Sequence, residues 1–177
     1  MLHFAPEHFL SSFFRSRVGS YATADLEMKG VDHHVDLRNL PFPNGFFNFI
    51  YASHVLEHID DDAKALSEIR RVLSPGGVAI LPVPIVTHVT IEYSEPNPHE
   101  EYHVRAPGAD YYQRYQRYFK NIEIHRSSDF PEQYQCHIYE DRSVWPTPEC
   151  PMLSSMPGER HEDLVPVCFA SELGFFR

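Results

Sequence analysis

Cysteine is scarce: Cys136, Cys150 and Cys168 are the only three in 177 residues, an odd number without C-x-x-C spacing. That argues against a disulfide framework or a structural zinc knuckle and for a reducing, cytoplasmic compartment. Long apolar runs are missing too. Nothing approaches the ~20 residues a bilayer span needs, and no basic segment with an apolar core opens the chain, so neither a membrane span nor a signal peptide is expected. Positive charge is short: Lys and Arg total 15 against 25 Asp and Glu, a formal net charge of -10, with no basic cluster. Such a chain repels phosphate backbones, so no nucleic acid is expected as a partner; small molecules or proteins are. Internal repeats and low-complexity tracts are absent.

What is present suits one domain over residues 1–177, with 42% apolar and 14% aromatic residues to fill a core. Phe47 to Ser53 is a short, nearly continuous apolar run, the pattern of a central strand buried on both faces of a parallel sheet. Asp60, Asp61 and Asp62 then favour a helix start, Arg70 and Arg71 a helix end, and Pro75-Gly76-Gly77 a stop. Between them Ala63, Leu66, Ile69 and Leu73 recur at helical spacing. With the strand-like Val78 to Val83, the unit is strand, helix, strand with a right-handed crossover.

Ahead of that unit, Met1 to Phe4 reads as a strand, an edge strand or the first strand of a shortened chain. His8 to Arg17 reads as a helix with Phe9, Leu10, Phe13 and Phe14 on one face, and Tyr21 to Asp25 and Val31 to Asp36 as strands. Leu40 to Gly45 is a turn-rich linker. Beyond the unit, about 84–108 reads as a lid-like loop, Asp110 to Phe119 as a tyrosine-rich helix and Asn121 to His125 as a strand. A proline-rich, irregular insertion at about 128–163 separates that strand from Leu164 to Ala170, with which it should pair. The fold class is α/β, a mostly parallel Rossmann-like sheet with an antiparallel edge and helices on both faces.

The succession Leu40-Pro41-Phe42-Pro43-Asn44-Gly45-Phe46-Phe47-Asn48, His54-Val55-Leu56-Glu57-His58-Ile59 and Arg71-Val72-Leu73-Ser74-Pro75-Gly76-Gly77 resembles class I S-adenosylmethionine-dependent methyltransferases of type 11. The resemblance is clear from Met1 to about Val83. It implies a seven-stranded methyltransferase sheet with S-adenosylmethionine across the carboxyl ends of the first strands. The first turn of such proteins carries an acid and several glycines; here it is the divergent His3-Phe4-Ala5-Pro6-Glu7, with His3 at the acid position and Ala5 and Glu7 at glycine positions. On this likeness Phe4, Ala5, Pro6 and Glu7 form the cofactor loop, Glu7 offering a charge-assisted bond to the methionine ammonium. Asp25, twenty residues after Ala5, suits the ribose hydroxyls, with Leu26 beside it; Asp36 and Leu37 fall at the adenine, and Ser53 and His54 at the methionine end.

A sulfonium already activates its methyl group, so rate comes from alignment and, where needed, a base for the acceptor's proton. His54, His88, His99 and His103 are candidates, with His103 preferred beside the lid and Arg105 as a contact for an acidic acceptor. The expected substrate is a small molecule or glycan-like acceptor; no resident metal is expected, and a homodimer is admissible. Two rivals stand beside this reading. One is a non-catalytic methyltransferase-like scaffold, for which the Tyr111, Tyr112, Tyr115 and Tyr118 cluster would be core or interface. The other is a zinc hydrolase using His54, Glu57 and His58 as an H-x-x-E-H string, which would need a long helix that a strand ending at Ser53 does not supply.

Overall fold

The computed structural model describes residues 1–131, 138–139 and 160–171. Its elements follow the chain as β1 (Leu2–Phe4), α1 (His8–Arg15), β2 (Ala22–Asp25), β3 (His33–His34), β4 (Phe47–Ala52), α2 (Asp62–Val72), β5 (Leu73–Ile80), β6 (Ile91–Asn97), β7 (His103–Ala106), β8 (Asn121–Arg126), β9 (Ile138–Tyr139), β10 (Arg160–His161) and β11 (Leu164–Phe169). A seven-stranded sheet has the order β3-β2-β1-β4-β5-β11-β8. Its first five strands are parallel; β11 runs antiparallel to both β5 and β8.

β1 is therefore not an edge. Leu2, His3 and Phe4 are all buried and pair in register with β2 on one side and β4 on the other. From β1 the chain steps outward to β2 and β3, then returns to its other side for β4. That reversal opens a crevice at the carboxyl ends of β1 and β4, where open α/β sheets hold ligands.

α2 lies where the charge pattern expects it, capped by Asp61 accepting from the Lys64 N–H. Its buried face is Asp62, Ala65, Leu66, Glu68, Ile69 and Val72, so Ala63 lies off the stripe and two acids lie on it. Asp62 is tolerated inside because the Tyr111 hydroxyl and Arg114 Nη1 both donate to its Oδ2 at 2.8 Å. The helix ends at Val72, and Pro75-Gly76-Gly77 lies inside β5, at an irregularity in its pairing with β4. A side chain at Gly77 would meet Leu73 Cδ1 at 2.8 Å, which is why the strand can fold over Leu73 there. Arg71 ties the Leu40 linker to α2, its Nη2 donating to Leu40 O and its Nη1 to Phe42 O, while Leu40 N donates to Glu68.

Three expectations change form. α1 leans on the sheet through Phe14, which packs on His3, Phe49 and Tyr51, and leaves Phe9 78% exposed. The expected lid segment contains an antiparallel hairpin, β6 with β7. The tyrosine-rich stretch is a 3-10 helix, Tyr111–Arg117, rather than an α-helix. Its Tyr111, Tyr112 and Tyr115 rings are core, and their hydroxyls donate to Asp62, Leu164 O and Leu81 O. β11 pairs with β8 as the sequence suggests. Cys136, Cys150 and most of the proline-rich insertion lie outside the described residues. Among those described, no helix is long and apolar enough to cross a membrane.

Candidate active site

At the crevice lies a cavity of about 430 Å³, within the range of small-molecule sites. Its lining comes from four consecutive strand ends. β1 supplies Phe4 and Ala5, β2 Asp25 to Glu27, the turn after β3 Val35 to Arg38, and the turn after β4 His54, Val55 and His58 to Asp60.

Ala5 answers the question its first loop poses. It takes the left-handed backbone (φ 46°) that a glycine would adopt, held by its N–H donating to Ala24 O at 3.0 Å. The loop thus keeps its shape with a methyl group in place of a hydrogen. Pro6 and Glu7 are absent from the cavity lining. The Glu7 carboxylate instead lies 2.8 Å from Nε2 of His3, whose Nδ1 lies 2.8 Å from the Tyr21 hydroxyl. In this conformation Glu7 is engaged by His3 rather than offered to a ligand's ammonium.

His3 is fully buried, and burial pulls its pKa below the usual value although Glu7 opposes the shift. The unfolded chain, titrating at about 6.5, then binds more protons than the folded one just below that pH, so His3 costs stability as pH falls through the window under it. We expect the fall in unfolding free energy between pH 7.5 and 5.5 to be smaller in His3→Gln than in the unsubstituted chain. The difference should not exceed about 1.4 kcal/mol per pH unit, read from urea denaturation at each pH.

Asp25 stands at the end of β2 on the cavity wall. Its Oδ1 accepts from the N–H groups of Glu27 and Met28 at 2.8 Å, an Asx turn that fixes the carboxylate, and among the described residues Oδ2 takes no hydrogen bond. Beneath it, Asp32 accepts from the Thr23 backbone and hydroxyl and holds the β2–β3 connection. Leu26, Val35, Leu37, Val55 and Ile59 give the cavity apolar sides. Asp36 is bridged by Arg38, which reaches on to Asp60 across the mouth, and this guanidinium holds the Asp36 carboxyl below its ordinary range.

After β4 the backbone turns sharply. His54 is left-handed (φ 53°), an uncommon state for a residue with a side chain and one that clusters at functional sites; its N–H donates to Pro82 O. His54 lines the cavity, whereas Ser53 does not and pairs with Tyr51. Behind them Glu57 is fully buried, and neither of its carboxylate oxygens meets a donor on another residue. Burial pushes its pKa up to about 7. His54 Nδ1 is 3.6 Å from Glu57 Oε1.

His103 is not on the cavity wall. It lies one layer back with its ring edge-on to His58 at 4.6 Å and its Nδ1 3.7 Å from Glu100. Arg105 is not offered to a substrate at all. It is 2% exposed, and it donates to the carbonyls of Leu56, Ile59 and Asp60 and to Glu92. Sequence reasoning missed this clamp, and also Glu27, Val35, Arg38, Val55, His58, Ile59 and Asp60 as wall residues. Val55, His58, Ile59 and Asp60 fall in or beside the string His54 to Ile59, whose position directly after the central strand was the available signal.

Residues 17–81 match the family model described as a methyltransferase domain. The chain is 38% identical over 63 residues to the demethylmenaquinone methyltransferase of Staphylococcus epidermidis, an alignment covering 36% of this chain and 26% of that protein. Across the first curated relatives the match spans only 17% to 29% of their length. In fold, an S-adenosylmethionine-dependent methyltransferase from Mesorhizobium loti superposes with a TM-score of 0.59 at 14% identity, covering 94% of this chain and 89% of that one. Phosphoethanolamine N-methyltransferase 2 of Haemonchus contortus, in complex with phosphomonomethylethanolamine and S-adenosylhomocysteine, gives 0.57 at 20% identity over 73% of this chain and 35% of its own. Residues 17–81 are thus similar to the methyltransferase-domain family, the seven-stranded sheet around them has the fold of these methyltransferase structures, and the cofactor that this likeness implies is S-adenosylmethionine.

Proposed function

We propose that the chain transfers a methyl group from S-adenosylmethionine to a small or glycan-like acceptor. The observation that carries this reading is Asp25, held by its own turn at the end of β2, on the wall of a cavity at the sheet's switch point. The donor set suits a nucleoside. A carboxylate oxygen accepts from ribose hydroxyls, Leu26, Leu37, Val35 and Ile59 sandwich an aromatic base, and Asp36 marks its edge. Phe4 and Ala5 floor the pocket beneath the sugar and the methionine portion, with His54 at its far end.

S-adenosylmethionine, when bound, supplies a methyl group already activated on sulfur. The chain's own residues have to orient the acceptor and receive its proton. His54 is the residue for the second task, because burial pulls its pKa down and keeps the imidazole neutral at working pH. His103 acts from behind His58, as a positioning residue. A second cavity of about 410 Å³ adjoins the first and shares Arg38, His58 and Asp60 with it. Its remaining lining, Tyr93, Ser94, Glu95, Pro96 and Val104, is rich in polar groups, which suits a hydroxyl-bearing acceptor.

Calorimetric titration with S-adenosylhomocysteine tests the reading. Micromolar binding is expected; no binding at millimolar ligand would replace the enzyme with a scaffold that keeps only the shape.

A further inference from the structure

We propose that Glu57, His58 and His103 bind one divalent transition-metal ion at the partition between the two cavities. The ligand atoms of these residues lie within 4.8 Å of one another. Around zinc, nitrogen and carboxylate ligands stand about 2.0–2.2 Å from the ion, so each atom needs to close in by only about 0.7 Å. His58 is exposed and can swing to do so, while Glu57 and His103 are held by their burial.

The second observation is electrostatic. Glu57 is 0% exposed with both carboxylate oxygens unpartnered. Folded proteins rarely bury a carboxylate without donors, because its desolvation goes uncompensated. The nearest guanidinium does not compensate it: Arg105 spends its donors on Leu56, Ile59, Asp60 and Glu92. A cation placed between Glu57 and the two imidazoles does.

Two imidazoles and one carboxylate select the metal class. Magnesium and calcium prefer all-oxygen cages, whereas imidazole suits zinc, iron, cobalt or nickel. Glu100 sits 3.7 Å from His103 Nδ1, with the Tyr93 hydroxyl donating to its other oxygen at 2.6 Å. That is the place of a carboxylate that orients a ligating histidine, and it leaves Nε2 for the ion. Three protein ligands leave a coordination position open. Because His58 lines both cavities, an ion on it would stand within reach of the acceptor, where a bound hydroxyl or thiol would become more acidic and easier for His54 to deprotonate. The role of the ion rests on the methyl-transfer reading; its binding does not.

The experiment is a titration of the full, untagged, metal-stripped chain with zinc by calorimetry and with cobalt by visible absorption. One equivalent is expected to bind, with a cobalt band of four- or five-coordinate intensity. Affinity should fall at least tenfold in Glu57→Gln, His58→Ala and His103→Ala, and stay unchanged in His125→Ala on the far strand β8. His58 is exposed, so His58→Ala decides the matter even if a buried substitution unfolds the chain. Substoichiometric uptake, or equal affinity in His58→Ala, overturns the site. S-adenosylhomocysteine titrated into the stripped protein separates the two ideas: zinc bound without it removes the methyl-transfer role alone, and the converse removes the metal alone.

Discussion

Arg105→Ala is expected to lose about 3–5 kcal/mol of stability and, where the chain still folds, most of its affinity for S-adenosylhomocysteine. Arg105 comes from β7 in the hairpin, yet its guanidinium reaches the turn after β4, donating to Ile59 O at 2.6 Å, Leu56 O at 2.7 Å and Asp60 O at 3.0 Å. Removing it strands the carbonyls of Ile59 and Asp60, each costing about 1–3 kcal/mol where water cannot replace the donor, while Leu56 O keeps the Ile59 N–H. The turn also carries Val55, His58, Ile59 and Asp60 of the cavity wall, so binding should fail with it. Arg105→Lys keeps the charge but not the planar fork, and should fall between the two. Urea denaturation and calorimetry check the pair. A loss under about 1 kcal/mol would mean that the turn supports itself.

Asp25 offers the second large effect, and two substitutions divide its duties. Asp25→Asn retains an oxygen to accept from Glu27 and Met28, so stability should hold, but the charged acceptor for ribose is lost. With charge-assisted bonds contributing about 1.5–3 kcal/mol each, S-adenosylhomocysteine affinity should drop by roughly 10- to 100-fold. Asp25→Ala removes the turn's acceptor as well, and should add about 1 kcal/mol of destabilisation to the same loss of affinity. Undiminished affinity in both would place the ribose elsewhere.

Legibility from sequence followed the range of the interactions. β4 and α2 were readable because apolar runs and helix-end charges are both local, whereas Pro75-Gly76-Gly77, expected as a helix stop, lies inside β5, which starts at Leu73. The place of Asp25 at the end of β2 was readable because a carboxylate at a strand end and its distance from the first turn are both counted along the chain. Arg105 was not, since the three carbonyls it clamps lie 45 to 49 residues away, and carbonyls are in every sequence. Tyr111, Tyr112 and Tyr115 were legible as core, but not the carbonyls of Leu164 and Leu81 to which the Tyr112 and Tyr115 hydroxyls donate. At Ala5 the sequence shows a methyl group at a glycine position but not the left-handed backbone that the residue adopts there.

β11 lies between β5 and β8 although it follows both in the chain. A nascent chain that has emerged only through Arg126 therefore has nowhere to dock β8, and β5 presents an open row of amides and carbonyls to whatever is near. Closure waits for Leu164 to Phe169 to leave the ribosome, which makes the intervening stretch the interval during which chaperone protection matters most.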